Sequence, residues 1–272
     1  MENEKILIFK GVTLHESDRE ILSNPSYISD EIIQFYFRYL MHTYEKDDIL
    51  FVSPTVSFML ANSTDSEGIK HSAESLKLRE KNLIFFTVNN TINNEEISTT
   101  TTDDKQEGTH WSLLVYYRPF HMFIHHDSIR GTNLSNAVHL CKIVKGFVSD
   151  DDDDDDLVIL TRPAKIRKKN RQEFTAALDK VEDEAVLTDW LFTPQQENWY
   201  DCGLYVMKIA AVICEWYVTL SEGEKELKEG MGMWSDVMHD KVEKVYVENQ
   251  MRADILEFVD LLMENADEED LS

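Results

Sequence analysis

Residues 108–128, GTHWSLLVYYRPFHMFIHHDS, decide the fold of this 272-residue chain. Two runs rich in aromatic and β-branched residues, Trp111–Tyr117 and Met122–His126, flank the tetrapeptide RPFH. Such runs around a proline-containing turn predict two neighbouring antiparallel strands. Because the start of one strand then lies beside the end of the other, we expect His110 and Asp127 to meet at one end of a sheet.

His110 and Asp127 have the residue types of an acid–base pair. A carboxylate beside an imidazole can accept the hydrogen bond from Nδ1 and hold the ring in one tautomer. Among the nine histidines of the chain, the hairpin topology singles out His110. The alternative is structural: a core histidine, and an aspartate that serves only as a turn residue at the end of a strand.

The candidate nucleophile is Cys202, within QQENWYDCGLYV (residues 195–206). A thiol reacts as its thiolate, which a positive environment stabilises. Residues 204–217 are apolar on nearly every face and predict a buried helix. The sulfur would therefore lie at a helix N-terminus, where unpaired N–H groups and the macrodipole favour an anion. Gly203, which has no side chain, would let a substrate backbone approach closely.

Acyl transfer also needs hydrogen-bond donors for the developing oxyanion. The backbone N–H of Cys202 is one donor, and the neutral amides of Gln195 and Gln196 lie a few residues upstream. A lone cysteine before an apolar helix is more often an inert buried thiol, and Cys141 and Cys214 are interpreted in that way. Cys202 differs because a histidine, an acid and a glutamine occur at compatible places.

The N-terminal half predicts a mixture of short strands and helices. Residues 6–14, ILIFKGVTL, indicate one short strand. Ser29 is a candidate N-cap for the helix that follows it, and Pro54 is placed to begin a second helix. Leu83–Asn89 is a compact apolar run typical of a buried strand. Residues 90–108 are polar and threonine-rich, which predicts a loop.

The C-terminal half is interrupted by a charged stretch. Residues 136–148 have a helical pattern, and an amphipathic helix lies near the C-terminus. Residues 149–187 predict a flexible insertion, because the seven consecutive aspartates 150–156 repel one another. The terminal DEED (267–270) should be frayed. Helices flanking a cluster of strands predict a single α+β domain over the whole chain, residues 1–272.

The composition restricts the partners. The formal net charge of −25 should repel nucleic acid and attract basic proteins. The alternative is a soluble acidic protein whose charge has no specific partner. No run of about 18 apolar residues suggests a membrane span, and the N-terminus has no pattern of a secretory signal.

The cysteines and basic residues bear on the compartment. Three widely spaced cysteines do not predict a disulfide framework, so the cytosol or nucleus is expected. KIRKKNR (165–171) is either a nuclear-import signal or a local counter-charge to the aspartates. No Cys-x-x-Cys motif or tight histidine pair supports a zinc site. No metal or other cofactor is therefore expected.

Taken together, GTHWSLLV, HHDS and QQENWYDCGLYV resemble the ubiquitin-like-protease family of cysteine peptidases, the sentrin-specific proteases. The order His, Asp, Gln, Cys matches that family and differs from the order in papain. Further segments, among them NLSNAVHL and MRADILEFVDLL, are similar to the deneddylase branch. The resemblance covers most of residues 5–148 and 189–265. It implies a papain-like α+β fold, with a central mixed sheet flanked by helices.

The resemblance also implies catalytic roles. His110 would be the general base, Asp127 would orient it, and Cys202 would be the nucleophile. Gln196, six residues before the cysteine, would line the oxyanion hole.

For substrate binding, the resemblance implies that Trp111 covers a narrow Gly-Gly tail and that Asp30 contacts the bound modifier. Asp30 could equally be a helix N-terminal acid, which is stabilising there in any case. Tyr27 stands where the family usually has a tryptophan, and Trp199 is bulkier than the family pattern suggests. Only glycine would fit such a tunnel, since any Cβ would meet its walls.

The implied function is cleavage after the Gly-Gly terminus of a ubiquitin-like modifier, both from precursors and from lysine conjugates. A modifier of the Nedd type is favoured, and SUMO or ubiquitin are the alternatives with the same chemistry. A hypothesis from another class is a non-catalytic acidic module that binds a basic partner. We expect the protein to be a monomer.

Overall fold

A computed structural model describes residues 3–90, 109–148, 158–160, 186–190, 192–221, 223, 234, 237–238 and 240–270. The elements up to the hairpin are β1 (Lys5–Phe9), β2 (Val12–His15), α1 (Glu16–Ser23), α2 (Asp30–Tyr44), β3 (Ile49–Phe51), α3 (Pro54–Asn62), α4 (Ser66–Ser75), β4 (Leu83–Asn89), β5 (Trp111–Tyr117) and β6 (Met122–His126). The elements after it are α5 (Leu134–Val148), β7 (Val158–Leu160), β8 (Val186–Asp189), α6 (Cys202–Thr219), α7 (Lys244–Asn249) and α8 (Met251–Asp270).

Six of the described strands form one mixed sheet in the order β3-β4-β5-β6-β8-β7. β4, β5 and β6 pair antiparallel, whereas β3 joins β4, and β8 joins β6 and β7, in parallel. The predicted hairpin is therefore confirmed. Leu113 lies opposite His126 at the end of the hairpin where His110 precedes β5 and Asp127 follows β6. The α+β class and the mixed central sheet are confirmed as well.

Both faces of the sheet are buried, which explains why β4 and β5 are nearly continuous apolar runs. On β4, Leu83 and Phe85 face a core with α2 and α6, while Ile84 and Phe86 face a second core with α3 and α5. The alternation follows from the pleat, in which successive side chains point to opposite faces. The sheet thus separates the two cores, and α6 lies wholly on the first.

Helix α2 has its predicted N-cap, and α3 begins at the predicted Pro54 with a cap that the sequence did not predict. The Ser29 hydroxyl accepts a hydrogen bond from Ile32 N (3.2 Å), and Ser53 accepts one from Val56 N (3.3 Å) ahead of Pro54. The predicted single strand at residues 6–14 is wrong. Lys10 and Gly11 both have positive φ angles, 47° and 83°, so the chain reverses there and forms the β1–β2 hairpin.

The insertion predicted at 149–187 needs correction where it is described. Residues 158–160 and 186–187 belong to β7 and β8, because their backbones complete the parallel edge of the sheet. The other residues of that range lie outside the described residues, as do residues 91–108 of the loop predicted at 90–108 and the basic cluster at 165–171. The tail 267–270, expected to fray, continues helix α8 to Asp270.

Helix α6 has 18 residues and is apolar enough to pass a length-and-composition test for a membrane span, and it is the one described helix that does. Burial within the protein covers 72% of it. The sequence pattern at 204–217 predicted a buried helix, and the structure confirms it with a start two residues earlier. This burial accounts for its apolar composition without a bilayer.

Arg118, in the turn between β5 and β6, binds backbone carbonyl groups near the ends of other secondary-structure elements. Its guanidinium donates hydrogen bonds to the carbonyl oxygens of Lys81 (2.7 Å), Val148 (2.6 Å) and Leu78 (2.8 Å). Leu78 begins a 3₁₀ turn, Lys81 lies two residues before β4, and Val148 ends α5. One fixed fork of donors thus anchors the hairpin to the α5 face.

We expect Arg118→Ala to lower the free energy of unfolding by about 2–4 kcal/mol, because charge-assisted hydrogen bonds to three carbonyls are lost together. Denaturant unfolding measures the change. Arg79→Ala is the matched control: Arg79 makes one exposed, long hydrogen bond to Gly146 O (3.4 Å), so the expected change is within about 0.5 kcal/mol. Equal losses for both variants would contradict the anchoring role.

Candidate active site

The site begins with Cys202, the first residue of α6. The loop before it is held by Asn198, whose Oδ1 accepts hydrogen bonds from Tyr200 N (3.1 Å) and Asp201 N (3.0 Å). Cys202 is fully buried. The thiol therefore lies at the start of an 18-residue helix on a loop whose backbone is fixed by hydrogen bonds.

His110 and Asp127 meet as the hairpin topology predicted. His110 Nε2 and Asp127 Oδ1 are 2.7 Å apart, and both side chains are buried. The predicted ring orientation is wrong: Asp127 contacts Nε2, and Nδ1 is left buried without a hydrogen-bond partner. Nδ1 is therefore the ring nitrogen available to the thiol of Cys202, which is close enough to influence the titration of His110.

Asp127 is held rigidly by the chain that follows it. Its Oδ1 accepts a hydrogen bond from Ile129 N (3.0 Å), and its Oδ2 accepts one from Asn133 N (3.0 Å). A buried carboxylate needs such donors, since an unpaired one would be costly to desolvate. The carboxylate is thus oriented toward His110 before any substrate binds.

Asn133 is a positioning residue that the sequence analysis missed. Its side-chain amide donates to the carbonyl oxygens of His110 and Val88, both at 3.2 Å, while its backbone N–H binds Asp127. Asn133 therefore holds both the backbone of His110 and the carboxylate of Asp127. The available signal was its place directly before α5, where asparagine is a common N-cap.

The electrostatics favour a protonated imidazole. Burial lowers the pKa of His110, but the hydrogen bond with Asp127, together with the nearby Cys202 sulfur, more than offsets burial and raises the pKa to about 9. Burial raises the pKa of Asp127, yet its hydrogen bonds with His110 and Asn133 N leave that pKa below its usual range. At neutral pH the pair is therefore imidazolium and carboxylate, with the imidazolium next to the thiol.

The other two cysteines have a different environment. Burial raises the pKa of Cys141, and it raises the pKa of Cys214 to about 12. Neither thiol has an imidazole among the groups that shift its pKa. Both remain protonated at neutral pH, as expected for inert core thiols.

Both candidate glutamines lie beside the pair. Gln195 Nε2 donates to Asp127 O (2.8 Å), and its Oε1 accepts from Arg130 N (2.9 Å). Gln196 Oε1 accepts from the Ser128 hydroxyl (2.7 Å), and its Nε2 donates to Asn198 O (2.7 Å). Gln196 thus spans the segment after Asp127 and the loop before the cysteine. Its amide would have to leave Asn198 O in order to donate to an oxyanion.

Trp111 directly follows His110, begins β5 and is half-buried. Its indole N–H donates to Ile28 O (3.0 Å), which ties β5 to the segment before α2. The Ile28 side chain in turn packs on Gly203: a Cβ at Gly203 would be 2.5 Å from Ile28 Cβ. The prediction that Gly203 makes room for substrate is therefore wrong, because Ile28 occupies that space.

The remaining predicted substrate residues flank Ile28. Tyr27 is 48% exposed, and Asp30 is the first residue of α2. The structure thus brings Tyr27, Asp30 and Trp111 to one edge of the site through Ile28. Trp199, on the loop before the cysteine, is 74% exposed.

A second His-Asp pair with a serine lies nearby, and it is structural. His125 Nδ1 is 3.0 Å from Asp189 Oδ1, and His125 Nε2 is 2.9 Å from Ser112 Oγ. Ser112 is 1% exposed and His125 fully buried. Both ring nitrogens of His125 thus already have partners, whereas His110 Nδ1 has none, so His110 is the histidine suited to act on the thiol.

We expect Gly203→Ala to destabilise the protein by about 1–3 kcal/mol, the usual range for overpacking a tight core site. Because the contact is with Ile28 Cβ, the additional change Ile28→Ala should not relieve it. Thermal denaturation measures the effect. Gly146→Ala is the control: the new methyl has no neighbour within 4 Å and lies in helix α5, where alanine should stabilise. A neutral Gly203→Ala would refute this packing.

The chain is similar to known proteases. The chain is 32% identical over 262 residues to NEDD8-specific protease 1 of Arabidopsis thaliana, covering 96% of this chain and 95% of that protein. It is 27% identical over 213 residues to sentrin-specific protease 8 of Homo sapiens, covering 77% and 81%. No family model matches the chain.

Among solved structures, the chain is similar to a de-sumoylating protease, with a TM-score of 0.54 and 17% identity over 97% of this chain and 93% of that one. That likeness supports the fold. The identity with the Arabidopsis protease over nearly the whole of both chains supports more: this protein belongs to the sentrin-specific, ubiquitin-like-protease family and is a cysteine protease.

Proposed function

We propose that this cysteine protease cleaves after the C-terminal Gly-Gly of a ubiquitin-like modifier, with a modifier of the Nedd type as the favoured substrate. The observation that supports it most is the buried His110–Asp127 hydrogen bond of 2.7 Å beside Cys202 at a helix start. The printed names of the relatives, a NEDD8-specific protease and a sentrin-specific protease, support the same substrate class.

The proposed reaction has two steps, in which His110 acts first as an acid and then as a base. The Cys202 thiolate attacks the carbonyl carbon of the terminal glycine, and the N–H of Cys202 with the Gln196 amide stabilises the oxyanion. The His110 imidazolium then gives its Nδ1 proton to the departing lysine amine or peptide nitrogen, and a thioester forms. Water, deprotonated by His110, hydrolyses the thioester and releases the free modifier.

The edge made by Tyr27, Ile28 and Trp111 supports selection of a Gly-Gly tail. The Trp111 indole is fixed to Ile28 O (3.0 Å), and Ile28 is packed against Gly203, so this wall of the site has little freedom. A tail without Cβ atoms can pass along a close, rigid wall. Bulkier residues at either position would meet it.

Acidic residues at the start of α2 support a basic partner. The hydrogen bond with Asp30, and then burial, raise the pKa of Glu31 to about 7, so the Glu31 carboxyl holds its proton up to near neutral pH. A basic side chain placed there would displace that proton and gain an ion pair. The formal charge of −25 would also speed encounter with a basic modifier.

Monomeric state, localisation to the cytosol or nucleus, and the absence of nucleic-acid and membrane partners stay predictions from the sequence. The non-catalytic binding module is disfavoured, because a module without turnover has no need of a buried imidazolium beside a thiol. SUMO and ubiquitin remain the alternative substrates and are arms of the test below.

We expect a Nedd-type vinyl sulfone probe to label Cys202, and Nedd-type precursor to be cleaved faster than SUMO or ubiquitin precursors. Peptide mass spectrometry identifies the labelled cysteine, and gel densitometry gives the cleavage rates. Cys202→Ala should abolish both, while Cys214→Ala, a buried thiol in the same helix, should retain them. Labelling of Cys141 or Cys214, or cleavage that survives Cys202→Ala, would rule out the proposal.

The pH dependence tests the acid–base pair. Because His110 has a pKa of about 9, activity should hold up to that region and fall as pH rises through it. In Asp127→Asn the group that keeps the imidazolium protonated is lost, while burial still lowers the His110 pKa. The alkaline limb should therefore move to lower pH, with kcat/KM reduced by about 10²–10⁴.

The control for that variant is Asp189→Asn, which removes the carboxylate bound to His125. Its alkaline limb should stay within a few tenths of a pH unit of that of the unmodified enzyme, because Asp189 makes no hydrogen bond with His110. An unmoved limb in Asp127→Asn, or an equal shift in both variants, would contradict the assigned pair.

A further inference from the structure

Arg252, near the start of α8, makes an unusual set of contacts under the active site. Its Nη1 donates to Ile21 O (2.7 Å), and its Nη2 donates to Ser26 O (2.8 Å) and to Asp201 Oδ1 (2.6 Å). The side chain is 15% exposed and that of Asp201 is 1% exposed. The residue before the nucleophile is thus in a buried ion pair with the C-terminal helix.

Asp201 stands at the N-cap position of α6, where an aspartate usually accepts hydrogen bonds from the first-turn N–H groups. In this protein its side chain makes no such bond. One carboxylate oxygen binds Arg252, and the other accepts from Asn198 Nδ2 (2.7 Å). The carboxylate is therefore held away from the helix start.

This diversion matters for the thiol. A capping carboxylate would occupy the N–H groups that favour an anion at Cys202, and its own charge would repel the thiolate. Paired with the guanidinium, Asp201 neither caps the turn nor remains an uncompensated negative charge. The first turn stays open to the thiolate and to the oxyanion.

The same guanidinium reaches the substrate edge. Ser26, whose carbonyl oxygen it binds, directly precedes Tyr27 and Ile28, and Ile28 packs on Gly203 behind the nucleophile. The Tyr200 ring centroid lies 5.8 Å from the Arg252 guanidinium carbon. One side chain therefore joins the nucleophile loop to the segment that presents the tail-binding wall.

We infer that Arg252 is a positioning residue of this enzyme: it draws the Asp201 carboxylate off the start of the nucleophile helix and fixes that helix to the Tyr27–Ile28 segment. The inference rests on the proposed role of Cys202. Other charged groups around the first turn are His110 and Asp127 from the hairpin, Glu197 from the loop and Glu248 from α7.

The test is alkylation of Cys202 by iodoacetamide as a function of pH, followed by mass spectrometry of the Cys202 peptide. This readout needs no modifier. Arg252→Gln leaves the Asp201 charge uncompensated, so we expect the rising limb of the alkylation profile to move about one unit to higher pH, which slows alkylation about tenfold at pH values on that limb. In the double variant Arg252→Gln with Asp201→Asn, no net charge is left, and the rate should return to within about threefold of the unmodified enzyme.

Two further variants control for poor folding of Arg252→Gln and for the loss of any ion pair on α8. Arg252→Lys keeps the positive charge and loses the forked guanidinium donors. Its alkylation profile should stay near that of the unmodified enzyme, even if Arg252→Gln folds poorly. Its KM for modifier should rise. Arg19→Gln removes another ion pair of α8, that of Arg19 with Asp260 (2.9 Å), and should alter neither quantity.

The inference is overturned if Arg252→Gln alkylates with the unmodified rate and profile, or if adding Asp201→Asn does not restore the rate. It is also overturned if Arg252→Lys loses reactivity as fully as Arg252→Gln. If Cys202 of the unmodified enzyme does not react at all, the proposed function fails first, and the two failures are told apart by that single measurement.

Discussion

Antiparallel pairing of β5 with β6 is the constraint on which the site depends. The register that sets Leu113 against His126 carries His110 and Asp127 to the same sheet edge, where their side chains meet at 2.7 Å. The pairing is secured on both faces by apolar side chains, so a slip of one residue would expose the core and separate the pair at once. Local chemistry and global packing therefore favour the same register.

The buried ion pair is stabilised by its surroundings more than by its own attraction. Removing two charges from water is costly, and a buried pair offsets that cost only when its other hydrogen-bonding sites are satisfied. Asp127 meets this condition through Ile129 N and Asn133 N. His110 Nδ1 does not, and that unpartnered nitrogen is the one directed to the nucleophile.

Around Cys202, too, some groups are held by hydrogen bonds while others are left without a side-chain partner. The loop before it is held because the Asn198 side chain binds its backbone, while the helix start is left without its usual side-chain cap. Arg252 makes this arrangement possible by pairing with the carboxylate that would otherwise cap the helix. Rigidity in the loop and open donors at the helix start are both needed for an oxyanion site, which must be organised before reaction.

The sequence by itself predicted the strand hairpin, the buried helix after Cys202, the N-cap at Ser29, the helix at Pro54, and the meeting of His110 with Asp127. These follow from short-range periodicity and from motifs, which a linear chain displays directly. The resemblance supplied the family and the role proposed for Gln196.

Tertiary structure alone decided the ring orientation of His110, the neighbour of Gly203, the β1–β2 turn and the strands at 158–160 and 186–189. Each depends on which distant segment arrives at a given point: Ile28 fills the space at Gly203 from 175 positions away in the chain, and Arg252 reaches Asp201 across 51. Periodicity reports which face of an element is buried, but it does not report what packs against that face. That limit is why Asn133 and Arg252, ordinary polar residues in the sequence, emerged as positioning residues only from the fold.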